Sequence, residues 1–130
     1  MILFLKNIAG VILGVVCGMI VNMSLIIGGH YMFPLPEYLD PMNAINWALI
    51  YFLFPLLAHA IGTFSGAFIS SKVWNNIAAA LIVGIYFLLG GIYMVVILPA
   101  PLWFICLDLT ICYIPMALLA WRLNKKNNYN

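Results

Sequence analysis

The chain has 130 residues and a formal net charge of +2; 67% of its residues are hydrophobic and 6% are charged. An average soluble domain has about 45–50% apolar and about 25% charged residues. Five basic and three acidic side chains cannot cover the surface of a soluble globule of this length. The composition therefore excludes a soluble domain, a disordered chain and a nucleic-acid binder, and it indicates a membrane protein.

Four apolar stretches are long enough to cross a bilayer, whose hydrocarbon core needs about 20 residues of helix. In chain order they cover about residues 8–28, 44–69, 77–98 and 102–121. Transmembrane β-strands would appear as alternating segments of about ten residues, whereas these stretches are continuous and longer. The sequence therefore predicts a single all-α integral membrane domain, residues 1–130, folded as an antiparallel bundle of four transmembrane helices.

The connections between the stretches fit this bundle. Residues 70–76 form a short polar turn whose asparagines can cap the third helix, and a Pro-Ala-Pro sequence at 99–101 ends that helix and begins the fourth. Short connections make neighbouring helices antiparallel. The first connection, residues 29–43, is longer and contains three prolines, so we expect an ordered outer loop.

The charged residues predict the orientation of the bundle. Every Lys and Arg lies in a segment that four spans place on one side of the membrane, whereas Glu37 and Asp40 lie in the loop on the other side. Cytoplasmic loops are enriched in Lys and Arg. We therefore expect both termini, including the C-terminal tail of residues 122–130, in the cytoplasm.

Small residues recur at four-residue spacing in the first two spans, and this spacing places them on one face of each helix. Such stripes allow two helix backbones to approach closely. Two interpretations stay open, which are packing within one bundle and an interface between copies of the chain. The candidate residues are Gly10, Gly14, Gly18, Gly62 and Gly66.

Polar side chains inside the spans are costly in lipid and are candidates for a functional site. Asp108 is the only acidic residue within a predicted span, and His59 lies near the middle of the second span. Because no Lys or Arg lies in the spans, the partner of Asp108 must be a histidine, an amide or water. Asn22 has a similar predicted depth and would meet Asp108 if the first and fourth spans touch.

These residues predict an outward-facing polar cavity in which His59 or Asp108 exchanges a proton or holds a cation. Its candidate lining residues are Asn22, His59, Thr63 and Asp108, with His30, Glu37 and Asp40 at the mouth. The alternative interpretation is that the same groups hydrogen-bond to one another and hold the bundle together. Such bonds contribute about 0.6 kcal/mol on average in membranes.

Motifs for metal or cofactor chemistry are lacking in the sequence. The two histidines and three carboxylates lie on separate elements, and the three cysteines form no C-x-x-C pair. No nucleophile motif or phosphate-binding loop occurs either. We therefore expect no cofactor and no metal ion, and the sequence does not favour an enzyme.

Three strings of residues together resemble a known group of proteins. They are Val21-Asn22-Met23, Ala58-His59-Ala60-Ile61-Gly62-Thr63 and Pro99-Ala100-Pro101-Leu102-Trp103-Phe104 with the following Asp108-Leu109. The chain resembles a group of small, uncharacterised four-span bacterial integral membrane proteins. The resemblance covers most of the chain, implies a multi-pass protein of the bacterial inner membrane, and implies no activity.

Three functions remain open at this point. The first is a homo-oligomeric permease or channel for a small solute or ion, which the glycine stripes and the polar side chains within the spans favour. The second is an accessory or assembly subunit of a larger membrane complex. The third is an intramembrane enzyme acting on a lipid or quinone, for which we expect a groove that opens beside Asp108 or His30. The expected partners are membrane lipid and either further copies of the chain or a larger complex.

Overall fold

The computed structural model describes the backbone of residues 1–127 and the side chains of residues 1–125, and this part of the chain is all-helical. Four helical segments are long and apolar enough to cross a membrane, the fourth being composed of two consecutive helices. The predicted all-α class and the four membrane-length segments are therefore confirmed. The helices are α1 (Ile2–Met32), α2 (Ile50–Trp74), α3 (Ile77–Ile97), α4 (Leu102–Ile111) and α5 (Ile114–Asn127).

The first two helices differ in extent from the predicted stretches. Helix α1 extends beyond residues 8–28 at both ends, and α2 begins at Ile50, later than expected. Ahead of α2, Ala44–Asn46 forms a separate 3-10 turn, which begins where the Asn43 side chain accepts a hydrogen bond from the Ile45 amide at 3.2 Å. The apolar residues 44–49 therefore belong to the loop. The sequence placed them in the second span because hydropathy alone does not mark where a helix begins.

The connection between α2 and α3 is shorter than the predicted polar turn at 70–76, because α2 continues to Trp74. Asn75 ends α2 in the left-handed conformation with φ of 51°, which asparagine tolerates better than most residues. The Asn76 side chain accepts a hydrogen bond from the Ala78 amide at 2.8 Å. Asn76 is therefore the asparagine that caps α3.

The fourth membrane-length segment is a broken helix instead of the continuous span expected at 102–121. Helix α4 ends at Ile111, and α5 begins at Ile114. Pro115 lies in the first turn of α5, where it lacks the N–H that would bond to the Ile111 carbonyl four residues earlier. A proline ring also clashes with that carbonyl, so a continuous helix is disfavoured here. Cys112 and Tyr113 form the turn at the break.

The glycine stripes of α1 and α2 face each other within one chain, and we call this contact the glycine seam. Gly14 lies against Gly66 and Gly18 lies against Gly62. A Cβ atom on Gly14 would come within 2.5 Å of the Gly66 carbonyl oxygen. Gly10, nearer the start of α1, is also buried and lies against the Val73 side chain of α2. The glycines of both stripes are therefore helix-packing residues of the single chain.

The centre of the bundle is filled by small side chains from α2, α3 and α5. They are Ala67, Ala80, Val83, Ala117 and Ala120. At one end of the bundle the Ala44 amide donates to the Pro99 carbonyl at 2.8 Å, which joins the α1–α2 loop to the α3–α4 loop. We call this end, formed by residues 33–49 and 98–101, the long-loop end.

Candidate functional site

Two ionisable side chains of the spans meet inside the bundle. His59 on α2 places its Nδ1 atom 2.7 Å from Asp108 Oδ1 on α4. Asp108 is only 3% exposed, whereas the His59 side chain is 19% exposed. A buried carboxylate is costly unless it is paired, and His59 supplies a partner of the type that the sequence required.

Tyr113 completes this group, which we call the polar cluster: His59, Asp108 and Tyr113. The Tyr113 hydroxyl donates to Asp108 Oδ2 at 2.8 Å and lies 3.1 Å from His59 Nδ1. Each carboxylate oxygen of Asp108 therefore has its own partner. His59 Nδ1 lies within hydrogen-bond distance of both Asp108 Oδ1 and the Tyr113 hydroxyl.

The break between α4 and α5 positions the tyrosine. Tyr113 belongs to the turn itself, and its neighbour Cys112 directs its thiol to the Leu56 carbonyl of α2 at 3.6 Å. On the other side, the Tyr113 ring and hydroxyl lie directly against Gly91 of α3, where any larger residue would overlap them. The missing side chain of Gly91 therefore leaves a notch in α3, and this space allows the Tyr113 hydroxyl to reach His59 and Asp108.

The geometry of the cluster defines how a proton can enter it. Because Nδ1 of His59 faces Asp108, the other ring nitrogen, Nε2, is left to exchange a proton, and it has no hydrogen-bond partner among the described residues. With a neutral imidazole and an ionised carboxylate the cluster has a charge of −1. A proton on Nε2 converts it into a neutral ion pair. A proton added at Nε2 leaves the hydrogen-bond partners at Nδ1 unchanged.

Asn22 and Thr63 do not join the polar cluster. Helix α1 contacts α2 and α3 but makes no contact with α4 or α5 within the described residues, so Asn22 does not meet Asp108. Asn22 instead packs against Gly62 in the glycine seam. Its Oδ1 atom and the Thr63 hydroxyl are both buried without a hydrogen-bond partner among the described residues. Of the four residues expected to share one lining, only His59 and Asp108 are therefore shown to meet.

Two of the three predicted mouth residues line a pocket at the long-loop end. This loop pocket has a volume of about 370 Å³ and lies between the end of α1, the α1–α2 loop and the start of α2. His30 and Glu37 line it, together with mainly apolar and aromatic side chains. None of the four residues predicted to line the deeper cavity is part of this lining.

Asp40, the third predicted mouth residue, has a structural place in the loop. Its Oδ1 atom accepts a hydrogen bond from the Met42 amide at 2.8 Å, and its carbonyl accepts one from the Trp47 indole N–H at 3.2 Å. Asp40 does not line the loop pocket. Its carboxylate holds the turn that sets the position of Trp47.

The loop pocket and the deeper polar groups are one helical turn apart. Pro55 lines the pocket on α2, and His59 follows it four residues later; Ile26 lines the pocket on α1, and Asn22 precedes it by four residues. Four residues of helix correspond to about 6 Å of rise. The deepest part of the pocket therefore lies about one turn from both His59 and Asn22.

Tyr113 is the member of the site that the sequence analysis missed. Its only sequence signal is Pro115, which interrupts an otherwise uniform apolar stretch and places a break beside Asp108. A second polar contact was also missed: at the end of α2 away from the loop pocket, the Asn124 amide donates to the Ser71 hydroxyl at 3.2 Å. That bond attaches α5 to α2 without an ionisable group.

Comparison with known proteins adds no further assignment. No protein-family model, curated protein or solved structure matches the chain. Within the described residues, no group of three or more His, Cys, Asp or Glu side chains is arranged to hold a metal ion. The polar cluster and the loop pocket are therefore the two features that point to a function.

Proposed function

We propose that the chain is a homo-oligomeric permease or channel for a small solute or ion, in which the polar cluster takes up and releases a proton. The observation that carries this proposal is the buried Asp108 carboxylate, bonded to His59 and Tyr113 beside a broken membrane-length helix. Intramembrane ionisable groups typically mark ion and proton pathways. In many transporters, such sites are built at interrupted helices.

The proposal includes an antiparallel bundle with both termini in the cytoplasm of a bacterial cell and the protein in its inner membrane. Contacts along the glycine seam support the antiparallel arrangement, because Gly10 lies against Val73, and Gly18 lies against Gly62. Residue numbers thus rise along α1 as they fall along α2. The bias of Lys and Arg to one set of segments supports the orientation.

The way in which the bundle is filled supports the proposed association of several copies. Its centre is occupied by alanines and Val83, whereas large apolar side chains cover much of the outer surface. A solute pathway therefore has to use the loop pocket and a surface between copies. In this arrangement the exposed edge of His59 is the part of the cluster that faces the pathway.

Proton flux through reconstituted protein tests the proposal. Proteoliposomes carrying a pH-sensitive dye should acidify or alkalinise when a potassium diffusion potential is imposed with valinomycin. We expect Asp108→Asn and His59→Ala each to lower the rate at least tenfold. Thr110→Ala is the matched control, because the exposed Thr110 hydroxyl bonds only to carbonyls of its own helix. Its rate should equal that of the unchanged protein.

Two outcomes contradict the proposal. One is a wild-type rate no higher than that of protein-free vesicles. The other is an unchanged rate in both cluster variants, which would assign the cluster to helix packing alone.

The loop pocket favours the intramembrane enzyme as a second candidate, since a groove opening beside His30 was the feature expected for it. A lipid or quinone would enter this pocket from the membrane interface. Mass spectrometry of organic extracts from the purified protein tests this candidate. A stoichiometric quinone or lipid that is lost on Phe54→Ala substitution would support it, and extracts with no enriched species would contradict it.

A further inference from the structure

Four aromatic side chains line the loop pocket in two pairs. Phe33 and Phe54 have ring centroids 6.0 Å apart, and Trp47 and Tyr51 have ring centroids 6.4 Å apart. The Trp47 ring is fixed because its indole N–H donates to the Asp40 carbonyl. The electron-rich faces of such rings attract cations, most strongly those of tryptophan and tyrosine.

Among the described side chains that line the pocket, the strongly charged residue type is acidic. Glu37 supplies a carboxylate, and none of the described side chains that line the pocket is Lys or Arg. His30 adds an imidazole to the lining. Aromatic faces with a carboxylate are complementary to a positive charge carried on an apolar body. They offer no cationic group to an anion.

We propose that the loop pocket binds an organic cation with an apolar body, such as a quaternary ammonium or phosphonium compound. Its volume of about 370 Å³ lies within the range of about 300–1,000 Å³ that is usual for small-molecule sites. The inference rests on the proposed function only in naming the bound cation as a candidate substrate. Binding itself requires no transport, so the two can fail separately.

Glu37 and Asp40 provide a matched pair of variants for the test. Both acids lie in the same loop, but only Glu37 lines the pocket. Glu37→Gln and Asp40→Asn each remove one negative charge from this loop. Asn at position 40 keeps an oxygen that can accept from the Met42 amide, as Asp40 does now. A difference between the two variants therefore reports the pocket and not the charge of the surface.

Equilibrium dialysis of the purified protein in a non-ionic detergent against radiolabelled tetraphenylphosphonium measures binding, with protein-free micelles as the blank. Tetraphenylborate has nearly the same size and shape and the opposite charge. We expect saturable, near-stoichiometric binding of tetraphenylphosphonium and none of tetraphenylborate. Glu37→Gln should weaken binding at least fivefold, and Asp40→Asn should change it less than twofold.

Three outcomes overturn the proposal. Equal binding of both ions would identify an apolar pocket for a lipid chain or quinone. Equal losses in the two variants would assign the effect to surface charge. Binding no greater than that of the micelle blank would remove the site altogether. Each of these results leaves the proton-flux experiment unaffected, because binding is measured without a membrane.

Discussion

Helix α2 makes two contacts of opposite character. Toward α1, the glycine seam brings backbone against backbone, and the Asn22 amide oxygen buried there has no hydrogen-bond partner among the described residues. Toward α4 and the turn before α5, the side chains of the polar cluster connect the helices by hydrogen bonds, beside the alanine packing of α2 against α5. One helix thus uses both ways in which helices associate in lipid, close packing of small residues and polar bonding.

The difference has a physical consequence for what each contact can do. Close packing depends on shape alone, so the glycine seam does not respond to pH or to a ligand. The polar cluster is held by hydrogen bonds between ionisable side chains, so under the proposed function its bonding is the part that responds to a proton. We therefore expect the seam to carry most of the stability and the cluster to carry the function. Four substitutions, ordered by their expected effect on stability, test this contrast.

Gly14→Ala should have the largest effect. The added methyl group would come within 2.5 Å of the Gly66 carbonyl oxygen, and backbone cannot move aside as a flexible side chain can. Overpacking of this kind costs about 1–3 kcal/mol. The free energy of unfolding by SDS in mixed micelles measures it. Gly28→Ala on the same helix is the control, because nothing lies within 4 Å of its Cβ position. Equal stabilities of the two variants would contradict the role of the seam.

Gly91→Ala should follow, because its methyl group would overlap the Tyr113 ring. The tyrosine can shift partly, so we expect a loss of about 1–2 kcal/mol, in the lower part of the overpacking range. Gly90→Ala is a neighbouring control with open space at its Cβ position. The same unfolding measurement applies. We also expect slower proton flux in Gly91→Ala but not in Gly90→Ala. A normal rate in Gly91→Ala would show that the position of Tyr113 against Gly91 is not needed for proton flux.

Asp108→Asn should cost less stability than either glycine substitution that closes a contact. An amide can still bond to His59 and Tyr113, and polar bonds between membrane helices contribute at most about 1.7 kcal/mol. Proton flux should nevertheless fall at least tenfold. A loss of stability larger than that of Gly14→Ala would reverse the contrast between the two contacts.

Tyr113→Phe should have the smallest effect on stability, about 0.6 kcal/mol, the average for one such bond. It removes the donor to Asp108 Oδ2 and leaves the bond between His59 and Asp108 in place. Proton flux should be reduced but measurable, since the His59–Asp108 pair remains. Flux as low as that of Asp108→Asn would show that the hydroxyl is required in the proton path.

The sequence predicted the number of membrane-length segments because each is a continuous apolar stretch, and α3 at Ile77–Ile97 nearly matches its predicted range. It misplaced the start of α2 and missed the break before α5. Both errors have the same cause: in a chain this apolar, hydropathy does not change where a helix begins or stops. The break had a local signal in Pro115, whereas the 3-10 turn at Ala44–Asn46 had none that composition could show.

The sequence predicted which ionisable residues belong to the candidate site but not which of the predicted residues contact one another. His59 and Asp108 stood out because ionisable groups are rare and costly in lipid. Which of them meet depends on how each helix is rotated and on which helices touch, and the sequence did not determine either. Asn22 was therefore expected near Asp108, although α1 contacts α2 and α3 and not α4 within the described residues. Tyr113 escaped notice because a tyrosine in an apolar stretch carries no charge that demands a partner.

The lengths of the helices set a demand on the membrane itself. Helix α1 has 31 residues and α3 has 21, which correspond to about 46 Å and about 31 Å at the usual rise. A hydrocarbon core of about 30 Å fits α3, whereas α1 must tilt, project or thicken the bilayer around it. Because the glycine seam fixes α1 to α2, any tilt of α1 carries α2 and His59 with it. We therefore expect bilayer thickness to affect the position of the polar cluster in the membrane.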